Sequence, residues 1–132
     1  MGYYVKLYLV ALVAYLAVDL VWLGFVARSL YQRYLAFLLG PTQWSAALSV
    51  YLLLILGIVV FAIVPGLKEN SLKMTLLRAA LFGLIAYGTY DLTNLATLRN
   101  WPLLITLVDM AWGTTLSAIV ACVGFWVGRQ LG

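Results

Sequence analysis

Four stretches of this chain are apolar for about the length that a lipid bilayer demands, and nothing constrains its fold more. Crossing the hydrocarbon core takes roughly 20 residues as a helix. Helices are predicted over about residues 4–26, 44–64, 76–98 and 103–127. The composition agrees: 66% of the residues are hydrophobic and only 9% charged, far from the balance of a soluble domain. The fold class expected is an all-α integral membrane protein of four transmembrane helices, with residues 1–132 forming a single transmembrane domain. Little chain is left over, so any function resides inside the bilayer or at its surfaces.

The first apolar run follows Lys6, as the core of a secretory signal does. It is longer than such a core, contains Asp19 and Trp22, and lacks a small-residue cleavage site, so it reads as an uncleaved span. Myristoylation is not expected, because Lys6 stands where the motif beginning Met1-Gly2 requires Ser or Thr. The single cysteine, Cys122, excludes an internal disulfide. The net charge of +4 comes from basic residues placed singly near span ends, as membrane anchors are, and not from a nucleic-acid-binding patch.

Between the first two spans, residues 29–39 place Leu30, Tyr31, Tyr34, Leu35 and Leu38 on one helical face and Ser29, Gln32 and Arg33 on the other. This reads as a short interfacial helix lying on the membrane, ended by Gly40-Pro41. The second span has no ionisable residue except Tyr51 and is expected to be a lipid-facing wall closing at Pro65-Gly66. Asn70 or Ser71 is a cap candidate for the third span. Arg99-Asn100-Trp101-Pro102 is a short turn that folds the third and fourth spans into a hairpin. The fourth span carries Gly113, Ser117 and Ala121 at intervals of four, a stripe that permits close helix approach. Gly124 and Gly128 extend it, and intramolecular packing is preferred there over dimerisation. Lys6, Lys68, Lys73, Arg78 and Arg129 fall on the side of the termini, against Arg28, Arg33 and Arg99 on the other, so both termini are expected in the cytoplasm.

Three of the four acidic residues, Asp19, Asp91 and Asp109, fall inside spans. At 1.5 Å per residue, Asp19 lies roughly 13 Å before Arg28, Asp91 roughly 12 Å before Arg99, and Asp109 roughly 12 Å after Trp101. All three depths are measured from the face opposite the termini, so the carboxyl groups should share one layer. Tyr15 and Tyr87 precede their aspartates by four residues; Trp22, Asn94 and Trp112 follow by three, on the same helical faces. The expected ligand or proton site is therefore Asp19, Asp91 and Asp109 with Tyr15, Tyr87, Asn94, Trp22 and Trp112, and Tyr90, Thr93 and Thr106 at its edge. A charged aspartate at a helix centre costs roughly 2.5 to 3.5 kcal/mol on insertion scales, so the three should face inward. With no Lys or Arg at their depth, the cluster should hold a proton or a cation, unless Arg28 or Arg99 folds inward as a counter-ion. The alternative is that each aspartate is a hydrogen-bonded structural staple between helices.

Absences narrow the chemistry. There is no histidine for zinc or haem, no mid-span lysine for a Schiff base and no glycine-rich phosphate loop, so no metal or cofactor is expected. Binding or transport of a proton, cation or small polar ligand is the preferred reading. Four helices enclose little space, so transport would imply a homodimer. The alternatives are a membrane-embedded enzyme acting on a lipid or isoprenoid by carboxylate acid/base chemistry, and a non-catalytic assembly subunit. The partners expected are membrane lipid and the unidentified ligand, with no nucleic acid.

The segment AYLAVDLVWLG at Ala14–Gly24 matches AYGTYDLTNLA at Ala86–Ala96 in Ala, Tyr, Asp and two Leu at equal offsets, and VDLVW at Val18–Trp22 is echoed by VDMAW at Val108–Trp112. Spans one and three cross in the same direction, so the match suggests a parallel repeat of two hairpins. With its four-span layout, AYLAVDLVWLG and YDLTNLATLRNWP, the chain resembles a bacterial family of predicted membrane proteins catalogued as a domain of unknown function (2177). That resemblance implies a multi-pass protein of the bacterial cytoplasmic membrane.

Overall fold

A computed structural model describes residues 2–132, and among these the chain is helical with no strand. Four helices are long and apolar enough to cross a membrane: Gly2–Val26, Trp44–Glu69, Leu72–Thr97 and Leu103–Leu131. A short helix, Arg28–Leu35, joins the first span to the second. The phenol of Tyr3 donates to the carbonyl of Gly128 at 2.9 Å, so the beginning of the first span and the end of the fourth lie at one end of the bundle. The site is built toward the other end.

Each span buries a narrow stripe. In the first, the buried residues are Leu7, Ala11, Tyr15 and Asp19, spaced by four and therefore on one face, while Val5, Leu9, Val13 and Leu20 are exposed. Lipid is as apolar as these side chains, so contacts between helices depend on close packing rather than on escape from water. The third and fourth spans form the most extensive pairing. They approach so closely that a methyl group on Gly83 would collide with the backbone of Gly113, and one on Gly113 with the Tyr87 ring. Ser117 and Ala121 continue this stripe and are buried. Gly124 packs on Ile63 of the second span, and Gly128 on Leu67 and Leu7, so that pair serves contacts within the chain.

The second span differs from the lipid-facing wall expected of it. Ile55, Ile58, Val59, Ala62 and Ile63 are buried in the main core with Leu7, Ala11, Leu116 and Val120, whereas none of residues 44–54 is buried. This helix is core in its second half, while its first is exposed apart from Ala47, Tyr51 and Leu54, which are half-buried. Nor does it stop at Pro65. Residues Val59–Ile63 form a π turn, with the Val64 N–H reaching back to the Val59 carbonyl. Pro65 thus stands in the first turn of the resumed helix, where its missing N–H and fixed φ are tolerated. The helix runs on to Glu69.

Both cap candidates are used, at different helices. Asn70 closes the second span in the left-handed conformation (φ 51°), and the Ser71 hydroxyl accepts the Met74 N–H at 3.1 Å to open the third. The third span begins at Leu72, one turn earlier than the apolar pattern suggested, because that first turn is polar and capped. At its far end Asn100 (φ 64°) turns the chain into the fourth span.

The short helix is also placed differently. Its apolar residues Leu30, Tyr31, Tyr34 and Leu35 pack against Leu95, Trp101 and Ile105 at the tip of the hairpin between spans three and four. They meet protein where the amphipathic pattern alone pointed to lipid, and they roof the end of the bundle.

Candidate functional site

Beneath that roof lies a cavity of about 450 Å³. Every span contributes to its wall: Asp19 from the first, Tyr51 from the second, Tyr87 from the third and Asp109 from the fourth. The short helix adds Tyr31. The second span gives Val50, Tyr51 and Leu54 to the wall from the half in which no residue is buried.

Asp19 is 6% exposed, and each of its carboxyl oxygens holds a donor from a different helix. The Trp112 indole N–H reaches Oδ1 at 3.1 Å and the Tyr51 phenol reaches Oδ2 at 3.0 Å. Hydrogen bonds of this kind satisfy a carboxyl group that lipid or packed side chains would leave bare. On the opposite wall Tyr31 donates to Oδ1 of Asp109, and the Trp22 indole donates to the Tyr31 oxygen at 3.2 Å. The Asp109 carboxyl group also lies beside that of Asp91. The rings of Trp22 and Trp112 stack at 4.3 Å, nearly parallel, tying the two walls together. Tyr15 and Tyr87, equivalent positions of the two matched segments, share a hydrogen bond of 2.7 Å between their hydroxyls.

Asp91 stands apart. It is fully buried, does not line the cavity, and neither of its oxygens has a hydrogen-bond partner. Its nearest electrostatic neighbour is Asp109, which in turn interacts with Asp19. Asp109 thus interacts with both of the others, and of the three, Asp19 and Asp109 line the cavity while Asp91 does not.

Of the residues predicted from sequence, Asp19, Asp109, Tyr15, Tyr87, Trp22 and Trp112 meet around this cavity, with Tyr90 at its edge. Asn94 does not line it. That side chain sits half-buried, one turn nearer the helix end, beside the Tyr90 hydroxyl. Thr93 is exposed, and Thr106 accepts the Trp101 indole N–H at 3.0 Å and so braces the hairpin tip. Arg28 and Arg99 do not fold inward: both are exposed, and the one ion pair among the described residues joins Arg78 to Glu69 at the opposite end. A guanidinium drawn to this depth would exchange water for an apolar roof. No group of metal-ligating side chains is found among the described residues.

Two site residues escaped the sequence reading. Tyr51 lies seven residues after Trp44, roughly 10 Å from the same membrane face and so in the aspartate layer. Its depth was the available signal. Tyr31 had none, because an amphipathic face does not say whether it meets lipid or protein.

These features define a class: a four-span helical membrane protein with carboxyl groups and tyrosines gathered around a cavity inside one half of the bundle. More particularly, the chain belongs to the family described as "Predicted membrane protein (DUF2177)", whose model matches residues 4–126. No curated protein and no solved structure matches the chain.

Proposed function

We propose that this protein is an intramembrane binding protein whose cavity holds a proton-bearing or cationic group between Asp19 and Asp109. The observation that carries the reading is the set of three interacting carboxyl groups with no cationic side chain to answer it. A bare carboxylate surrounded by apolar groups is costly enough that it takes a proton or a cation. Asp91, without a single donor, is the position where that demand is greatest, and Asp109, beside it, lines the cavity. The hydrogen bonds to Asp19 hold one wall fixed, and Asp109 lines the cavity where a ligand would meet it.

On this reading the protein resides in the bacterial cytoplasmic membrane with both termini cytoplasmic. The excess of lysine and arginine at that end supports the orientation, and the cavity then lies in the outer half of the bilayer. Carriage of the bound group across the membrane would call for a second copy of the chain, since one bundle is closed below the cavity by its core.

Labelling with dicyclohexylcarbodiimide, an apolar reagent for protonated carboxyl groups, tests the proposal in purified protein. Asp109 should be modified, as read by mass spectrometry, and Asp109→Asn should abolish that modification without unfolding the bundle. An intact protein in which none of the three aspartates reacts would contradict it.

A further inference from the structure

The cavity also indicates how its ligand arrives and what kind of molecule it is. Three of its lining residues, Leu23, Val50 and Tyr90, come from three different spans and are nevertheless exposed, at 38%, 49% and 57%. They form its rim. Leu23 lies three residues, roughly 5 Å, before the end of the first span, and Tyr90 lies seven residues, roughly 10 Å, before the end of the third. The spans are 25 to 29 residues long, or roughly 38 to 44 Å against a hydrocarbon core of about 30 Å. A few ångströms at each end therefore project beyond the hydrocarbon, and the rim lies at or below its boundary.

The hairpin tip and the short helix roof the cavity. Leu35 and Trp101 are buried against each other and Ile105, and Leu35 itself lines the cavity ceiling. The exposed rim residues lie on the spans instead, Val50 among the unburied residues 44–54 of the second. A molecule passing that rim reaches Asp109 through lipid, so it must be one that lipid dissolves.

Its polar part is specified by the wall. Tyr15, Trp22, Tyr31, Tyr51, Tyr87 and Trp112 surround the two cavity aspartates with aromatic surface. Aromatic faces attract cations, and cages of them are a recurrent way to hold quaternary ammonium groups. Carboxyl groups add to the attraction, and no Lys or Arg is present that could receive a phosphate. Asp91, buried beside Asp109 and without a hydrogen-bond partner, adds to the same need for positive charge.

We infer that the ligand is a single-chain cationic amphiphile, entering sideways from the bilayer past Val50, with its head group seated between Asp19 and Asp109 and its chain left along the exposed first half of the second span. The inference rests on the binding role proposed above and names its ligand class and route.

Protection of Asp109 from dicyclohexylcarbodiimide tests it in neutral maltoside micelles, with three probes: dodecyltrimethylammonium, dodecyl phosphate and tetramethylammonium. Dodecyltrimethylammonium should halve the modification at a concentration at least tenfold below either of the others. Val50→Trp, which narrows the rim, should weaken its protection at least tenfold, and Leu23→Trp provides a second obstruction should the first variant not fold. Equal protection by dodecyl phosphate overturns the head-group assignment. Equal protection by tetramethylammonium, or full protection with both rim variants folded, overturns the route from lipid. Modification of Asp109 that no probe reduces overturns the ligand class while leaving the binding reading in place, and absence of any modification counts against the binding reading itself.

Discussion

Tyr31 and Asp109, 78 residues apart in the chain, are joined by a hydrogen bond from the phenol to a carboxyl oxygen. The contact fastens the short helix to the fourth span and orients a carboxyl group of the cavity wall. It also supplies the acceptor for the Trp22 indole, so the stacked pair of Trp22 and Trp112 depends on it.

Tyr31→Phe removes that donor and that acceptor together. Hydrogen bonds between membrane helices average about 0.6 kcal/mol and reach about 1.7, so the variant should unfold about 1 kcal/mol more easily in a denaturing-detergent titration. Tryptophan fluorescence should shift as Trp22 loses its partner. Tyr34→Phe, whose hydroxyl makes no such bond, should leave both readouts unchanged.

Close approach of the third and fourth spans makes a sharper demand. Gly83→Ala places a methyl group against the Gly113 backbone, which cannot move without separating the hairpin. The expected loss is about 1 to 3 kcal/mol, the usual result of overpacking. Gly40→Ala, where nothing lies within 4 Å, should change stability by less than about 0.5 kcal/mol.

Much of this architecture was legible in the sequence, for physical reasons that differ from place to place. The four spans followed from length and helical rise, because a bilayer fixes both thickness and direction. The inward faces of Asp19 and Asp109 followed from the cost of exposing them to lipid. Pro65 misled, since a π turn five residues long lets the helix continue past it. The second span misled as well: uniform apolarity does not distinguish a lipid-facing surface from a buried one when both solvents are alike. Tyr31 was hidden by the same ambiguity at the interface. The separation of Asp91 from the cavity was invisible too, because equal depth does not fix which side of a helix-helix seam a side chain occupies.

The turn between the second and third spans offers an independent check on the helix boundaries. Ser71→Ala removes the hydroxyl that accepts the Met74 N–H and should cost about 1 kcal/mol, as loss of an N-cap does. Asn70→Gly should be neutral, because glycine adopts the left-handed conformation that Asn70 holds there.

The ion pair of Arg78 and Glu69, joined by two hydrogen bonds of 3.0 and 2.8 Å, lies at the surface end of the same turn. Exposed pairs contribute little. Glu69→Gln should destabilise the protein by less than about 1 kcal/mol, and high salt should erase the difference.

The set of interacting carboxyl groups, Asp19, Asp109 and Asp91, is tested most directly by infrared spectroscopy of the carboxyl stretch at neutral pH, in the wild-type protein and in the three single Asp→Asn variants. The account predicts a protonated-carboxyl band in the wild type that Asp91→Asn removes or displaces, that Asp109→Asn perturbs, and that the other polar residues do not supply. A folded wild-type protein without such a band, or a band indifferent to substitution at all three aspartates, would contradict it.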